Sequence, residues 1–69
     1  MKENFAIKLR ELRKASGMTQ EQLAAEFGVS VQAVSKWETA ASYPDIELMP
    51  RIADLFGVSL DELLRDVKN

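Results

Sequence analysis

The chain has no cysteine and no histidine among its 69 residues. These absences exclude disulfides, thiolate nucleophiles and imidazole bases, and they remove the commonest zinc ligands. No apolar run is long enough for a signal peptide or a membrane span. We therefore expect a cytoplasmic protein that is not an enzyme and that binds no metal and no cofactor.

Catalysis would have to come from carboxylates, hydroxyls or lysines. Asp61 and Glu62 are adjacent acids, but they fall in the first turn of a predicted helix, where acids favour the positive end of the helix dipole. A hydrolase built on carboxylates would need a cleft and a metal constellation that the sequence does not offer.

The composition is that of one globular domain spanning residues 1–69, with 46% apolar and 29% charged residues. The net charge of −2 argues mildly against nucleic acid, yet the charge is unevenly distributed. Residues 1–40 carry six basic and five acidic side chains, whereas residues 41–69 carry three and six. Any DNA-facing surface therefore belongs to the N-terminal part.

Apolar spacing and capping residues predict five short helices and no strand. Asn4, Thr19, Ser30 and Ser59 are typical helix N-caps, and Thr19 and Ser59 also begin capping boxes. Pro50 disturbs the fourth helix, and a separate short turn at the start of that element is the alternative. The predicted helices span residues 5–16, 20–27, 30–39, 45–56 and 60–67.

Residues 19–38 meet the requirements of a helix-turn-helix. Ala24 is the small residue where the two helices touch, and Gly28 can take the positive φ that the turn needs. Val34 and Trp37 face inward and hold the second helix in place, which makes Trp37 a core residue rather than a base-stacking one. Val31, Gln32, Ser35 and Lys36 remain on the outer face.

The tetrapeptide Phe-Gly-Val-Ser occurs twice, at residues 27–30 and 56–59. The second copy repeats the turn but places Asp66 where the first has Trp37. Its outward residues include Asp61, which would repel DNA phosphates. The first copy is therefore the candidate reader of DNA.

The chain resembles a lambda-repressor-like, Cro-type helix-turn-helix domain of the xenobiotic response element (XRE) family. The resemblance covers nearly the whole chain and is carried by LRKASGMTQEQLA (12–24), FGVSVQAVSKWE (27–38), SYPD (42–45) and IADLFGVSLDELL (52–64). It implies an all-α fold of five helices, with the third helix in the major groove of DNA.

The resemblance also assigns roles to residues, although solvated surface positions are the alternative for each. Val31, Gln32 and Lys36 would face base edges, and Ser35 would lie close to bases or backbone. Gln20 would touch a phosphate at the start of the second helix. The full set of expected phosphate contacts is Gln20, Ser30, Thr39, Ser42 and Tyr43.

Arg13 and Glu38 resemble a family ion pair between the first and third helices, which would make Arg13 structural. Ala40 stands where the family usually has glycine, so the third helix either extends or forces an alanine into positive φ. The following loop also lacks the basic residues that many relatives direct at phosphates. We therefore expect weak binding by a monomer and a shallow dependence on salt.

These features predict a transcriptional repressor that occupies a pseudo-palindromic operator as a homodimer. Leu64 and Val67 are the candidate dimer contacts, unless they only close a small core. The alternative function is an antitoxin-like or protein-interaction module whose acidic C-terminal half binds a basic protein. Salt-sensitive binding to a selected duplex would favour the first function, and DNA-independent binding of a protein would favour the second.

Overall fold

The computed structural model describes residues 2–65, which form five α-helices and one short 3-10 helix. This part of the chain contains no strand, which confirms the all-α prediction. No helix within it is long and apolar enough to cross a membrane. The helices are α1 (Lys2–Ala15), α2 (Gln20–Phe27), α3 (Val31–Glu38), the 3-10 helix (Ile46–Leu48), α4 (Met49–Phe56) and α5 (Leu60–Leu64).

One hydrophobic core joins all five α-helices. Helix α1 packs against α3 and α5, while α2 packs against α3 and α4 packs against α5. The apolar residues of each helix recur at three- and four-residue spacing, so each helix presents one face to this core. The largest fully buried side chains are Phe5, Leu9, Leu23, Val34, Ile52 and Leu63.

The predicted capping residues at Thr19, Ser30 and Ser59 are confirmed. Thr19 and Ser59 each accept a hydrogen bond from the backbone three residues on, and the side chain of that third residue bonds back, completing both capping boxes. Ser30 Oγ accepts from the backbone N–H of Ala33 at 3.1 Å. These bonds satisfy amide groups that the first helical turn leaves without partners.

The prediction that Asn4 caps the first helix at residue 5 is wrong. Helix α1 already begins at Lys2, so Asn4 lies inside it, and the helix ends at Ala15 rather than residue 16. Lysine and glutamate are good helix formers, and no glycine or proline separates residues 2 and 3 from Asn4. The helix therefore starts before Asn4.

The span 45–56 is not one helix. The 3-10 helix occupies Ile46–Leu48, and α4 follows directly at Met49 with Pro50 in its first turn. Proline is tolerated there because the amide it lacks has no helical partner. The alternative of a separate short turn before Pro50 is therefore correct.

The last helix is shorter than predicted. Helix α5 ends at Leu64, because Arg65 adopts an extended conformation with ψ of 145°. Helix α3 likewise ends at Glu38, with Thr39 as its C-cap rather than its last residue. Val67 lies outside the described residues.

Candidate nucleic-acid interface

Helices α2 and α3 are joined by a three-residue turn, as a helix-turn-helix requires. Gly28 ends α2 with φ of +66°, a left-handed conformation that strains any residue with a Cβ. Its N–H donates to the Ala24 and Ala25 carbonyls, and Ala24 itself is buried. The small side chain of Ala24 contributes to the core that α2 and α3 share.

Helix α3 has one buried and one exposed face. Val34 and Trp37 are in the core, whereas Gln32 and Lys36 are exposed. Val31 and Ser35 are half-buried at the edge of the exposed face. The structure thus brings the four expected base-reading residues together on one helix, with an amide, a hydroxyl, an ammonium group and a methyl-bearing side chain available to a ligand.

A buried network connects α1, α2 and α3 at the edge of this face. Arg13 Nε and Nη2 donate to the two carboxylate oxygens of Glu38 at 2.6 and 3.0 Å, and Arg13 Nη1 donates to the Met18 carbonyl at 2.9 Å. Gln20 Nε2 donates to Glu38 Oε1 at 3.1 Å. Glu38 therefore holds both the core-facing Arg13 and the side chain of Gln20.

Hydrogen bonding of Arg13 to the Glu38 carboxylate, which accepts from it, raises the pKa of Arg13; burial opposes this rise, and the nearby carboxylate charge adds to it. The guanidinium therefore stays charged, and the bidentate pair neutralises the carboxylate at the edge of the exposed face. A DNA phosphate approaching Gln20 would not meet an uncompensated negative charge at Glu38.

The C-terminal end of α3 turns sharply at Ala40. Ala40 takes φ of +66°, which decides between the two expectations: the helix ends and the alanine enters the left-handed region. The Ala41 N–H then donates to the Lys36 carbonyl at 2.9 Å, closing a Schellman-type turn. The Thr39 hydroxyl donates to the Ser35 carbonyl at 3.0 Å.

The remaining expected phosphate contacts lie at the start of α3 and in the loop that follows it. Ser30 is exposed at the start of α3, and Ser42 is half-buried beside its end, where the Ser42 N–H donates to the Lys36 carbonyl at 3.3 Å. Tyr43 instead packs edge-on against Phe5, with ring centroids 5.4 Å apart. The Tyr43 ring thus lies near α1, although Tyr43 directly follows Ser42 in the chain.

Tyr43 and Leu64 line one apolar groove of about 300 Å³ together with Pro44, Ile46 and Met49. Ile46 is 84% exposed, which is unusual for a large aliphatic side chain. Leu64, a predicted dimer contact, is partly exposed within this groove rather than closed into the core. Val67, the other predicted contact, lies outside the described residues.

Arg10 has no role in the expectations from sequence, yet it lies beside the C-terminal end of α3. Arg10 lines a shallow pocket of about 270 Å³ together with Ile7, Glu38, Thr39 and Ala40. Nothing in the local spacing of α1 indicates this position, because it depends on how α1 packs across α3. Among residues 4–65, no group of acids could hold a metal ion.

Comparison with known proteins places these features in a family context. The family model described as helix-turn-helix matches residues 9–63. The chain is 47% identical over 60 residues to the HTH-type transcriptional activator BcrR of Enterococcus faecalis, covering 87% of this chain and 29% of that protein. No solved structure gives a significant match.

Two further relatives extend the comparison. The cryptic phage CTXphi transcriptional repressor RstR of Vibrio cholerae is 39% identical over 56 residues, covering 81% of this chain and 50% of that protein. The uncharacterized HTH-type transcriptional regulator YazB of Bacillus subtilis is 34% identical over 56 residues, covering 81% of each. The chain thus spans half or less of the first two relatives.

Proposed function

Because the chain belongs to the helix-turn-helix family, we propose that it binds double-stranded DNA sequence-specifically as a transcriptional regulator, with α3 in the major groove. The observation that carries the proposal is the two-sided character of α3. Its Val34 and Trp37 face fixes the helix in the core, and its opposite face exposes the polar side chains of Gln32 and Lys36 to solvent.

The base-reading assignments follow from side-chain chemistry. The Gln32 amide can bond bidentately to adenine, the Lys36 ammonium can reach guanine or a phosphate, and Val31 can pack on a thymine methyl. The Ser35 hydroxyl can bond either a base or the DNA backbone. A good bidentate contact discriminates between bases by about 1–3 kcal/mol, so Gln32 is the assignment with the largest expected effect.

Phosphate contacts would orient α3 in the groove. Gln20 is suited to this role because its Nε2 is fixed by Glu38 and its position opens the first turn of α2. Ser30, Thr39 and Ser42 surround α3, although the Thr39 hydroxyl must turn away from the Ser35 carbonyl before it can donate. Tyr43 would have to act through its phenolic oxygen from beside α1.

We further propose that the protein binds a pseudo-palindromic operator as a homodimer. One monomer offers few cations to DNA, so its counterion release is small and its affinity low. The groove that contains Leu64 and Ile46 supplies exposed apolar surface that a second copy could cover. Val67, which lies outside the described residues, stays a predicted dimer contact.

Repression by occupying the operator is part of this proposal. One of the relatives is named an activator and another a repressor, so family membership alone does not fix the direction of regulation. The antitoxin-like or protein-interaction function and a protein partner stay predictions.

In-vitro selection from a random duplex pool tests the proposal directly. We expect enrichment of one motif with two inverted half-sites, bound with an affinity that falls as salt rises. A pool that stays random, with equal affinity for selected and scrambled duplexes, would overturn sequence-specific binding. Enrichment of a single half-site would overturn the homodimer while leaving the reading role of α3 intact.

A further inference from the structure

A shallow pocket separates α1 from the C-terminal end of α3. Arg10 lines it from α1, and Thr39 and Ala40 line it from the turn after α3. Thr39 follows Ser35 by four residues and Gln32 by seven, so it continues the exposed face of α3 by one helical turn. The pocket therefore opens at the edge of the face assigned to base reading.

The charge of Arg10 is not compensated within the described residues. The ion pairs of this part of the chain join Arg13 to Glu38 and Arg65 to Asp61. Glu38 also lines the pocket, but its two oxygens already accept hydrogen bonds from Arg13 and Gln20. Arg10 is exposed and keeps its guanidinium donors available to an external anion.

We infer that Arg10 binds a backbone phosphate of the DNA at the C-terminal end of α3. The inference rests on the proposed function, because the anion is the phosphate that flanks the groove holding α3. A guanidinium can bond a phosphate through two parallel N–H groups, which suits it to this position. The Thr39 hydroxyl is already donating to the Ser35 carbonyl, so Arg10 is the principal donor of the site.

The site also explains how a chain of net charge −2 holds DNA at this end of α3. The loop after α3, from Ala41 to Pro44, has no basic residue. Arg10 supplies from α1 the charge that this loop lacks. Lys36 then provides a second cation from the exposed face of α3 itself.

The test compares Arg10→Gln with Lys8→Gln in the full chain. Lys8 carries the same charge on the same helix but lies about 200° around its axis from Arg10, and it is a matched control for net charge. Affinity for a selected duplex and for a scrambled duplex is measured by fluorescence anisotropy over a series of salt concentrations. Melting temperatures of both variants are measured alongside.

We expect Arg10→Gln to reduce the slope of log affinity against log salt by about 1, the value for one lost phosphate contact. Affinity at low salt should fall by the same factor for both duplexes, because a phosphate contact carries no sequence information. Lys8→Gln should keep the wild-type slope. Arg10→Lys should restore the slope, and neither neutral variant should change the melting temperature.

A wild-type slope for Arg10→Gln, with DNA binding retained, would overturn the phosphate contact and leave the proposed function standing. Loss of discrimination between duplexes without a change in slope would also overturn it, because Arg10 would then be reading bases. Equal slope changes in Arg10→Gln and Lys8→Gln would show a net-charge effect only and would reject the site. Wild-type protein that binds neither duplex would overturn both proposals.

Discussion

At the scale of single residues, Ala40 is a local point of strain. It is the non-glycine residue with positive φ among those described, at +66°, while Gly17, Gly28 and Gly57 take the same conformation without a Cβ. A left-handed alanine costs about 1 kcal/mol relative to glycine. The turn keeps this conformation because the Ala41 N–H closes it onto the Lys36 carbonyl.

We predict that Ala40→Gly stabilises the protein by about 0.5–1 kcal/mol. Urea unfolding followed by the fluorescence of Trp37, the single tryptophan, measures the change. Ala25→Gly is the control, because Ala25 is exposed within α2 and glycine there should destabilise by a similar amount. A lower free energy of unfolding in Ala40→Gly than in wild type would show that Ala40 is not strained.

The two ion pairs within residues 4–65 differ in burial, although each has one N–O distance of 2.6 Å. The side chains of Arg13 and Glu38 are 11% and 2% exposed, whereas those of Arg65 and Asp61 are 66% and 72% exposed. Because the pKa of Arg13 is raised, its stabilising charge is fully present below its ordinary pKa and is lost only as pH rises through the raised value. The Arg13 charge therefore adds no pH dependence to stability near neutral pH.

We predict that Glu38→Ala lowers the free energy of unfolding by about 3–5 kcal/mol, because it leaves the charge of the buried Arg13 guanidinium without its carboxylate partner. Asp61→Ala, which breaks the exposed pair, should cost less than about 1 kcal/mol. Both are measured by urea unfolding. Similar losses of unfolding free energy in the two variants would show that burial does not increase the contribution of the Arg13–Glu38 pair to stability. If Glu38→Ala fails to fold, the milder Glu38→Gln supplies the comparison.

At the scale of elements, the sequence predicts the helices whose ends carry their own signals. Thr19 with Gln22 and Ser59 with Glu62 form the predicted capping boxes, which are confirmed, and Gly28 and Gly57 end α2 and α4 in the left-handed conformation that glycine favours. Asn4 misled the prediction because asparagine is also tolerated inside a helix. The end of α5 could not be predicted, because no glycine or proline follows Leu64 and the extended conformation of Arg65 has no local sequence signal.

Some parts of the candidate site could likewise be predicted from the sequence, and others could not. The exposed face of α3 could be predicted, because helical spacing alone separates Gln32 and Lys36 from Val34 and Trp37. The hydrogen bond between Gln20 and Glu38 and the position of Arg10 could not, because both depend on how helices distant in sequence pack together. Tyr43 was predicted from its place in the loop, which does not reveal its packing against Phe5.

We predict that Thr19→Ala lowers the free energy of unfolding by about 1 kcal/mol, because it removes the acceptor for the Gln22 N–H. Thr19→Ser keeps that oxygen and should stay within about 0.5 kcal/mol of wild type. Thermal unfolding of the two variants separates the outcomes. Equal stability of Thr19→Ala and wild type would show that the cap contributes nothing.

At the scale of the whole molecule, the charge is distributed so that DNA affinity would depend on few contacts. Exposed acids are concentrated after residue 40, in a region that includes Asp45, Glu47 and Asp54. The α3 surface instead has Lys36, with Arg10 at its edge and Glu38 neutralised by Arg13. Two copies on one operator would double the number of favourable contacts, which is the physical reason to expect a dimer.

We predict that operator binding depends on the spacing of the two half-sites. In a homodimer the two α3 helices enter successive major grooves about 34–36 Å apart, one turn of DNA. Inserting about 5 base pairs between the half-sites rotates one half-site to the opposite side of the duplex and should reduce affinity to that of a single half-site. Inserting the same number outside the half-sites is the control. Unchanged affinity after the internal insertion would reject the dimer.

The central claim is that the exposed face of α3 reads bases, and a double-mutant cycle between Gln32 and the operator tests it most directly. Wild type, Gln32→Ala and the control Gln22→Ala are each titrated with the selected duplex and with duplexes changed at one base pair. Gln22 bonds the Thr19 N–H in the capping box, so its loss should lower stability without altering discrimination. We expect a coupling of about 1–3 kcal/mol between Gln32 and one base pair in each half-site. If Gln32→Ala weakens binding to every duplex equally, with no coupling at any base pair, Gln32 does not read the sequence and the claim is contradicted.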